Sequence, residues 1–374
     1  MDNINKNTYV LQNINIYEPN ENGGKICLRD LYVENGIISD VTEPQNNKKE
    51  IVNGLIVPKF FNLHCHLGEN TFRNIVGDAW TLSKYLSYTE NYCKNIGEEE
   101  RTALWQQSAI SVINESKSNN VVGLCASGCA RLCKQYDMLN MSAYSITSLI
   151  KAADNPKERE DLFKNYYMEY NNAQCSIGAS LHSIYKSDKE TLVLARNVMD
   201  WGAEFFTVHI SEDYNTTLLE RNKFGKSPVE VLDDYNLLGE RTLLVHCGYI
   251  SEKDYELIAK RGCMIVVCPI SNAFLNTQTV DVCKLDCYGI KWTVGTDGLA
   301  TGRSFNLIAQ CVKLKKSYPE LELDDLLYKI TVVAAEFYNR SIYTGRIEKG
   351  TKADFILIDD VCAYSRNRIF DRLL

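Results

Sequence analysis

The sequence predicts an α/β fold: a (β/α)8 barrel with a small β-sandwich domain formed by the two chain ends. Three observations carry this expectation. Eight short apolar runs alternate with longer helix-forming stretches, the rhythm of a parallel sheet. The chain has 374 residues, enough for a barrel of about 250 residues and an appendage. All five histidines stand at the ends of these runs, where such a barrel carries its chemistry. A doubly wound open sheet is the alternative, but no Gly-rich phosphate loop follows the first run.

The first 57 residues read as short strands. Residues 9–17 (YVLQNINIY) and 26–33 (ICLRDLYV) precede Asn35-Gly36, a strong hairpin signal, and 37–41 and 50–57 continue the pattern. The barrel is expected over 58–340. Its apolar runs are 57–63, 121–126, 143–146, 176–181, 205–210, 243–247, 264–268 and 292–295. Helices are expected near 98–117, 157–170, 189–202, 228–237, 252–261, 305–314 and 323–338. Residues 344–350 then read as a turn and 353–359 (ADFILID) as a last strand. Residues 1–57 and 341–374 together would therefore build the small domain.

Composition narrows the function classes. The net charge is -7 with no clustered basic face, which argues against nucleic acid. No run approaches the roughly 20 apolar residues of a membrane helix, and no signal peptide is evident. The 14 cysteines are scattered, as expected for reduced thiols in the cytoplasm. Cys125, Cys129 and Cys133, spaced by four, would share a face of a helix. Their spacing is a poor match for an iron–sulfur cluster, and they read as core thiols.

The histidines define a constellation. In His64-Cys65-His66 strand alternation puts both imidazoles on one face and Cys65 on the other; Cys247, beside His246, also alternates away. His182 ends the fourth run, His209 the fifth, His246 the sixth, and Asp297 the eighth. Three imidazoles and a carboxylate, His64, His66, His209 and Asp297, suit one zinc ion or another borderline divalent metal. A metal-bound water ionises near neutral pH and becomes a nucleophile. Glu212, three residues past His209, is placed to move protons, and His246 to hydrogen-bond the water or a developing oxyanion. His182 would contact substrate at the mouth. Singly, each feature has a bland reading: an HxH pair is often structural, and an Asp after Gly-Thr usually makes a turn. Together, in this order, they build one site.

At these residues the chain resembles the amidohydrolase superfamily, in particular its chlorohydrolase and aminohydrolase branch. Residues 54–69 (GLIVPKFFNLHCHLGE) resemble the opening barrel strand, 180–185 (SLHSIY) the fourth-strand His element, and 209–212 (HISE) the HxxE element. Residues 245–248 (VHCG), 267–275 (VCPISNAFL), 294–298 (VGTDG) and 345–359 resemble later motifs in the same order. The resemblance implies a mononuclear site, with zinc first and iron or manganese as alternatives. It implies ligation by His64, His66, His209 and Asp297, proton shuttling by Glu212, water activation by His246 and substrate contact by His182. It also implies a homo-oligomer, a dimer being expected. No lysine ends the fourth run to bridge two metals. Residues 120–127 (NVVGLCAS) depart from the Gly-Thr-Thr element of relatives, and the closing β segment is short.

The expected chemistry is hydrolytic deamination of an amino-substituted N-heterocycle of purine, pyrimidine or pterin type by metal-bound hydroxide. The alternatives at the same site are hydrolysis of a cyclic amide, a formimino group or another C–N or C–Cl bond. A catalytically dead metal- or ligand-binding barrel would have lost Glu212, His246 or Asp297, and all are present. Arg73, Trp80 and Arg303 are further candidate substrate contacts, with Asn306 beside the last. Their bland readings are a salt bridge for Arg73 and a buried anchor for Trp80.

Overall fold

The computed structural model describes residues 7–21, 23–44, 54–77, 80–359 and 373. The chain divides into two compact units. One comprises Met1–Phe61, Asn120–Val122 and Asn306–Leu374, the other Asn62–Asn119 and Gly123–Phe305. Every histidine and Asp297 belong to the second. Among the described residues, no helix is long and apolar enough to cross a membrane.

In the first unit, strands β1 (Tyr9–Glu18), β2 (Lys25–Glu34), β3 (Ile37–Thr42) and β4 (Gly54–Pro58) lead the chain. Asn35 and Gly36 both take positive φ, 53° and 77°, making the primed turn that joins β2 to β3. A bulge in β1 between Leu11 and Ile14 is fixed by Asn13 N donating to Asp30 Oδ1 at 2.8 Å. Of the predicted strand at 50–57, residues 50–53 lie outside the described residues. The described strands form one five-stranded sheet, in which the C-terminal strand β15 (Phe355–Asp359) lies against β4. The expected sandwich is thus, among these residues, a single sheet. Its buried face is Ile14, Ile16, Leu31, Val33, Ile38 and Ile56. Each such side chain contributes about 1.5–3 kcal/mol on leaving water.

The barrel sheet is all parallel, with neighbours in chain order. Its strands are β5 (Phe60–Asn62), β7 (Val121–Ser127), β8 (Leu139–Ser145), β9 (Cys175–Ser183), β10 (Phe206–Ile210), β11 (Thr242–His246), β12 (Met264–Val267) and β13 (Trp292–Val294). Leu243, Leu244 and Val245 are fully buried, as parallel strands covered on both faces must be. Two short extensions, β6 (Cys65–His66) and β14 (Asp297–Gly298), pair with each other in parallel. They bring the first and eighth strands together at the C-terminal end of the barrel.

The third strand begins at Leu139, not at residue 143 as the apolar run suggested, and residue 146 already belongs to the next helix. Buried Asn140 and Ser142 interrupt the apolar pattern, but each is satisfied. Asn140 Nδ2 donates to Met138 O at 3.1 Å, and Ser142 Oγ lies 2.7 Å from Tyr166 Oη. The Cys125–Cys133 stretch is not one helix. Cys125 lies in β7, Cys129 caps the helix Ala130–Gln135, and Cys133 lies within it, all buried.

Capping explains where several helices start. Ser227 and Ser251 each form a reciprocal capping box, with Glu230 and Asp254 respectively. The helix expected over 323–338 is continuous but carries a π turn at Lys329–Val333.

Gly178 in β9 lets Phe205 pack on the strand. A Cβ there would meet the Phe205 ring and carbonyl at 2.5 Å. Gly178→Ala is expected to destabilise the protein by about 1–3 kcal/mol, read as a lower midpoint in denaturant at unchanged slope.

Candidate metal centre and active site

The strand ends deliver the predicted cluster to one point. His64 follows β5, His66 lies in β6, His209 in β10 and Asp297 in β14. One donor atom from each of these four residues lies within 4.8 Å of the others. His66 Nε2 is 3.2 Å from His209 Nε2 and 3.1 Å from Asp297 Oδ1, and His64 Nε2 is 3.5 Å from the same oxygen. A second trio, Glu212, His246 and Asp297, meets the same criterion. His246 Nε2 stands 3.6 Å from Glu212 Oε1.

Local hydrogen bonds set the orientation of this cluster. His209 Nδ1 lies 2.6 Å from the His182 carbonyl, which can only accept. Nδ1 therefore carries the proton and Nε2 presents its lone pair to the cluster. Asp297 Oδ2 accepts from Ser271 Oγ at 2.5 Å, leaving Oδ1 toward the imidazoles. Asn62 clips the barrel seam: its Nδ2 donates to Thr296 Oγ1 at 2.7 Å, and its Oδ1 accepts from the amides of His64 and Thr296. His246, Cys247 and Asp297 have positive φ of 72°, 57° and 61°. Non-glycine residues hold such conformations only where their surroundings impose them.

The protonation pattern fits a cation site. Despite burial, the adjacent His64 and His66 imidazoles hold Asp297 well below the usual carboxylate range. Burial opposes charge on His66, yet Glu69 and Asp297 raise it to about 9. Burial pushes His64 down and His246 down to about 4, and burial with the neighbouring rings pushes His209 well below its ordinary range. Glu212 is pushed well above the carboxylate range by burial and by Asp297 and Asp213. The buried His64 Nε2 and His246 Nε2 have no hydrogen-bond partner. Imidazole nitrogens converging on a carboxylate suit a divalent metal.

Beside the cluster lies a cavity of about 180 Å³ whose wall includes Ala126, Ser127, Ser145, Ser180, His66 and His182. His182 is exposed at this mouth, its ring centre 5.1 Å from that of His209. Cys65 turns from the cluster toward β7, its Sγ 3.6 Å from Cys125 O.

The structure does not bring Arg73, Trp80 or Arg303 into the cluster. Arg73 donates to Glu115 Oε2 at 2.7 Å and to Arg303 O at 2.6 Å. Arg303 donates to the carbonyls of Arg73 and Val76 and lies 4.3 Å over the Phe274 ring. Trp80 packs with Phe72 and Tyr88 in an apolar cluster. Asn306 caps the helix Leu307–Ser317. Sequence reasoning missed Glu69. Its Oε1 lies 3.9 Å from His66 Nδ1, and Gly298 makes room for it, since a Cβ there would fall 1.8 Å from Glu69 Oε2. The His66 spacing of three was its only signal.

The comparisons agree with this geometry. Residues 55–372 match the amidohydrolase family. The chain is 26% identical to a 5′-deoxyadenosine deaminase of Methanopyrus kandleri, over 82% of this chain and 73% of that one. It is 25% identical to a 5-methylthioadenosine/S-adenosylhomocysteine deaminase of Caldicellulosiruptor saccharolyticus, over 88% and 80% of the two chains. Its fold is that of a zinc-bound adenosine deaminase from Xanthomonas campestris, with a TM-score of 0.79, 19% identity, and 94% and 85% of the two chains covered. The chain belongs to the amidohydrolase family. Within that family it is a hydrolase of non-peptide C–N bonds, on the aminohydrolase branch.

Glu220 supports the loop that follows His182. Its Oε1 accepts from Tyr185 N at 3.2 Å, and burial raises its pKa to about 8. The folded state therefore holds a proton there that the unfolded chain releases near pH 4.5. Between these values the native state binds more protons, so stability falls as pH rises, by at most about 1.4 kcal/mol per unit. Glu220→Gln is expected to flatten this decline, as checked by denaturation at pH 5 and pH 8.

Proposed function

We propose that the chain is a zinc-dependent deaminase of an amino-substituted N-heterocycle of the adenine type. The observation that carries this is the convergence of four donor side chains with Glu212 and His246 at one strand-end cleft. The names of the relatives support the substrate class.

On this reading His64, His66, His209 and Asp297 hold the zinc. The metal, when bound, supplies the Lewis acidity that makes water nucleophilic at neutral pH. The residues do the rest. Glu212 accepts one proton of the attacking water and gives it to the ring nitrogen; it then takes the second from the hydroxyl of the adduct and passes it to the departing amine. The amidine carbon exchanges its amine for the water oxygen; ammonia leaves and a ring carbonyl remains. Burial raises the proton affinity of Glu212 above that of a free carboxylate, which suits a group that must take up a proton and pass it on. His246 donates to the oxygen on which charge develops, and His182 contacts the ring from the mouth.

The test joins metal analysis to an ammonia screen over amino-purine bases and nucleosides, amino-pyrimidines and pterins. Wild type is expected to carry close to one zinc per chain, lost in His64→Ala, and to release ammonia from adenine-type compounds. A chain that takes up no metal on reconstitution sinks this reading, and metal without ammonia from any ring moves it to another C–N bond. Glu212→Gln is expected to keep its metal and lose about 10²–10⁴-fold in kcat.

A further inference from the structure

Asn272 lies in the segment 267–275, and the reading so far gives it no role. Its Nδ2 is 3.3 Å from His246 Nδ1 and 2.9 Å from Thr277 Oγ1. Asn272 and His246 are both buried, and Asn272 Oδ1 and His246 Nε2 have no partner. The two ends of an amide can be exchanged, so the alternatives must be weighed. In the orientation found, both amide N–H groups have acceptors and one carbonyl oxygen is unused. Turned over, the oxygen would accept from His246 and Thr277, and two buried N–H donors would be orphaned. Buried N–H groups without acceptors are rarer than under-used carbonyls, and each costs its full desolvation. Thr277 agrees: its hydroxyl lies 3.4 Å from Asn272 O and donates there, which leaves its lone pairs for the amide.

A nitrogen that accepts cannot carry the proton. We propose that Asn272 is a positioning residue that fixes His246 as its Nε2–H tautomer, so that this imidazole offers the site a hydrogen-bond donor and not a base. Nε2–H then faces the Glu212 carboxyl, 3.6 Å away, across the space where the reacting oxygen would lie. Proton removal falls to Glu212 alone. The tautomer follows from the amide; its catalytic consequence rests on the deaminase reading above.

The two can be tested apart. Full-length, zinc-reconstituted protein labelled with ¹⁵N-histidine is examined by long-range proton–nitrogen correlation, with His246 assigned through His246→Gln. The Nε2–H pattern is expected. In Asn272→Asp a carboxylate, which only accepts, replaces the donor. The tautomer should invert to Nδ1–H, with zinc content retained and kcat lowered about 10²–10³-fold, the scale of losing one charge-stabilising donor. KM should move much less. A proton on Nδ1 of wild-type His246, or an unchanged pattern in Asn272→Asp, overturns the proposal even in an active deaminase. An Nε2–H pattern in a protein that releases no ammonia keeps the assignment and removes only the deaminase reading. Should Asn272→Asp fail to fold, Thr277→Val loses the hydroxyl that selects the amide orientation and is expected to give mixed tautomers. A single Nε2–H form there would also count against the proposal.

Discussion

The structure depends on gathering imidazoles and carboxylates at one buried point. Nearly equal numbers of potential positive and negative groups meet there, and water is largely excluded. The cluster balances its charge by keeping Asp297 ionised against a protonated His66, while Glu212 and Glu69 are pushed toward their neutral forms. Burial of a lone charge would cost many kcal/mol, so the arrangement is tolerable only because the opposite charges touch. A divalent cation held by these side chains would supply the positive charge that the carboxylates need.

That cluster requires a barrel that closes where these side chains meet. The first and eighth strands are joined at their C-terminal ends by the short β6–β14 pair, which carries His66 and Asp297 themselves. Asn62 binds both sides of this seam through one side chain. The seam and the site are therefore one structure. Loss of the Asn62 amide would disturb His64 and Asp297 together, although it touches no substrate.

Much of this was legible in the sequence because the informative residues are rare. Five histidines at strand ends leave few arrangements, and alternation in His64-Cys65-His66 fixes which face they share. The eight strands were found because parallel strands buried on both faces read as unbroken apolar runs. The third was misjudged where Asn140 and Ser142 sit buried in its first half, since polar residues satisfied by distant partners leave no local pattern. Asn62 and Ser271 escaped for the same reason, whereas Glu69 left only its spacing of three from His66. Arg73 and Arg303 misled in the other direction. A cation near a barrel mouth suggests a ligand contact, but these two guanidiniums take up protein carbonyls and Glu115 to tie down the segment after the first strand.

The histidines also show how one residue type fills opposed roles. His209 and His246 end adjacent strands, and their rings stack within 5.5 Å of each other. Both are held neutral by burial. What differs is the group at Nδ1. The carbonyl of His182 forces a proton onto His209 Nδ1 and frees a lone pair at Nε2, as a metal ligand needs. The amide of Asn272 donates a hydrogen bond to His246 Nδ1 and so keeps the ring's proton at Nε2, as an electrostatic donor needs. On the proposed reading, the division of labour between ligand and donor is set one hydrogen bond away from the site, by whether the supporting atom is a carbonyl oxygen or an amide nitrogen.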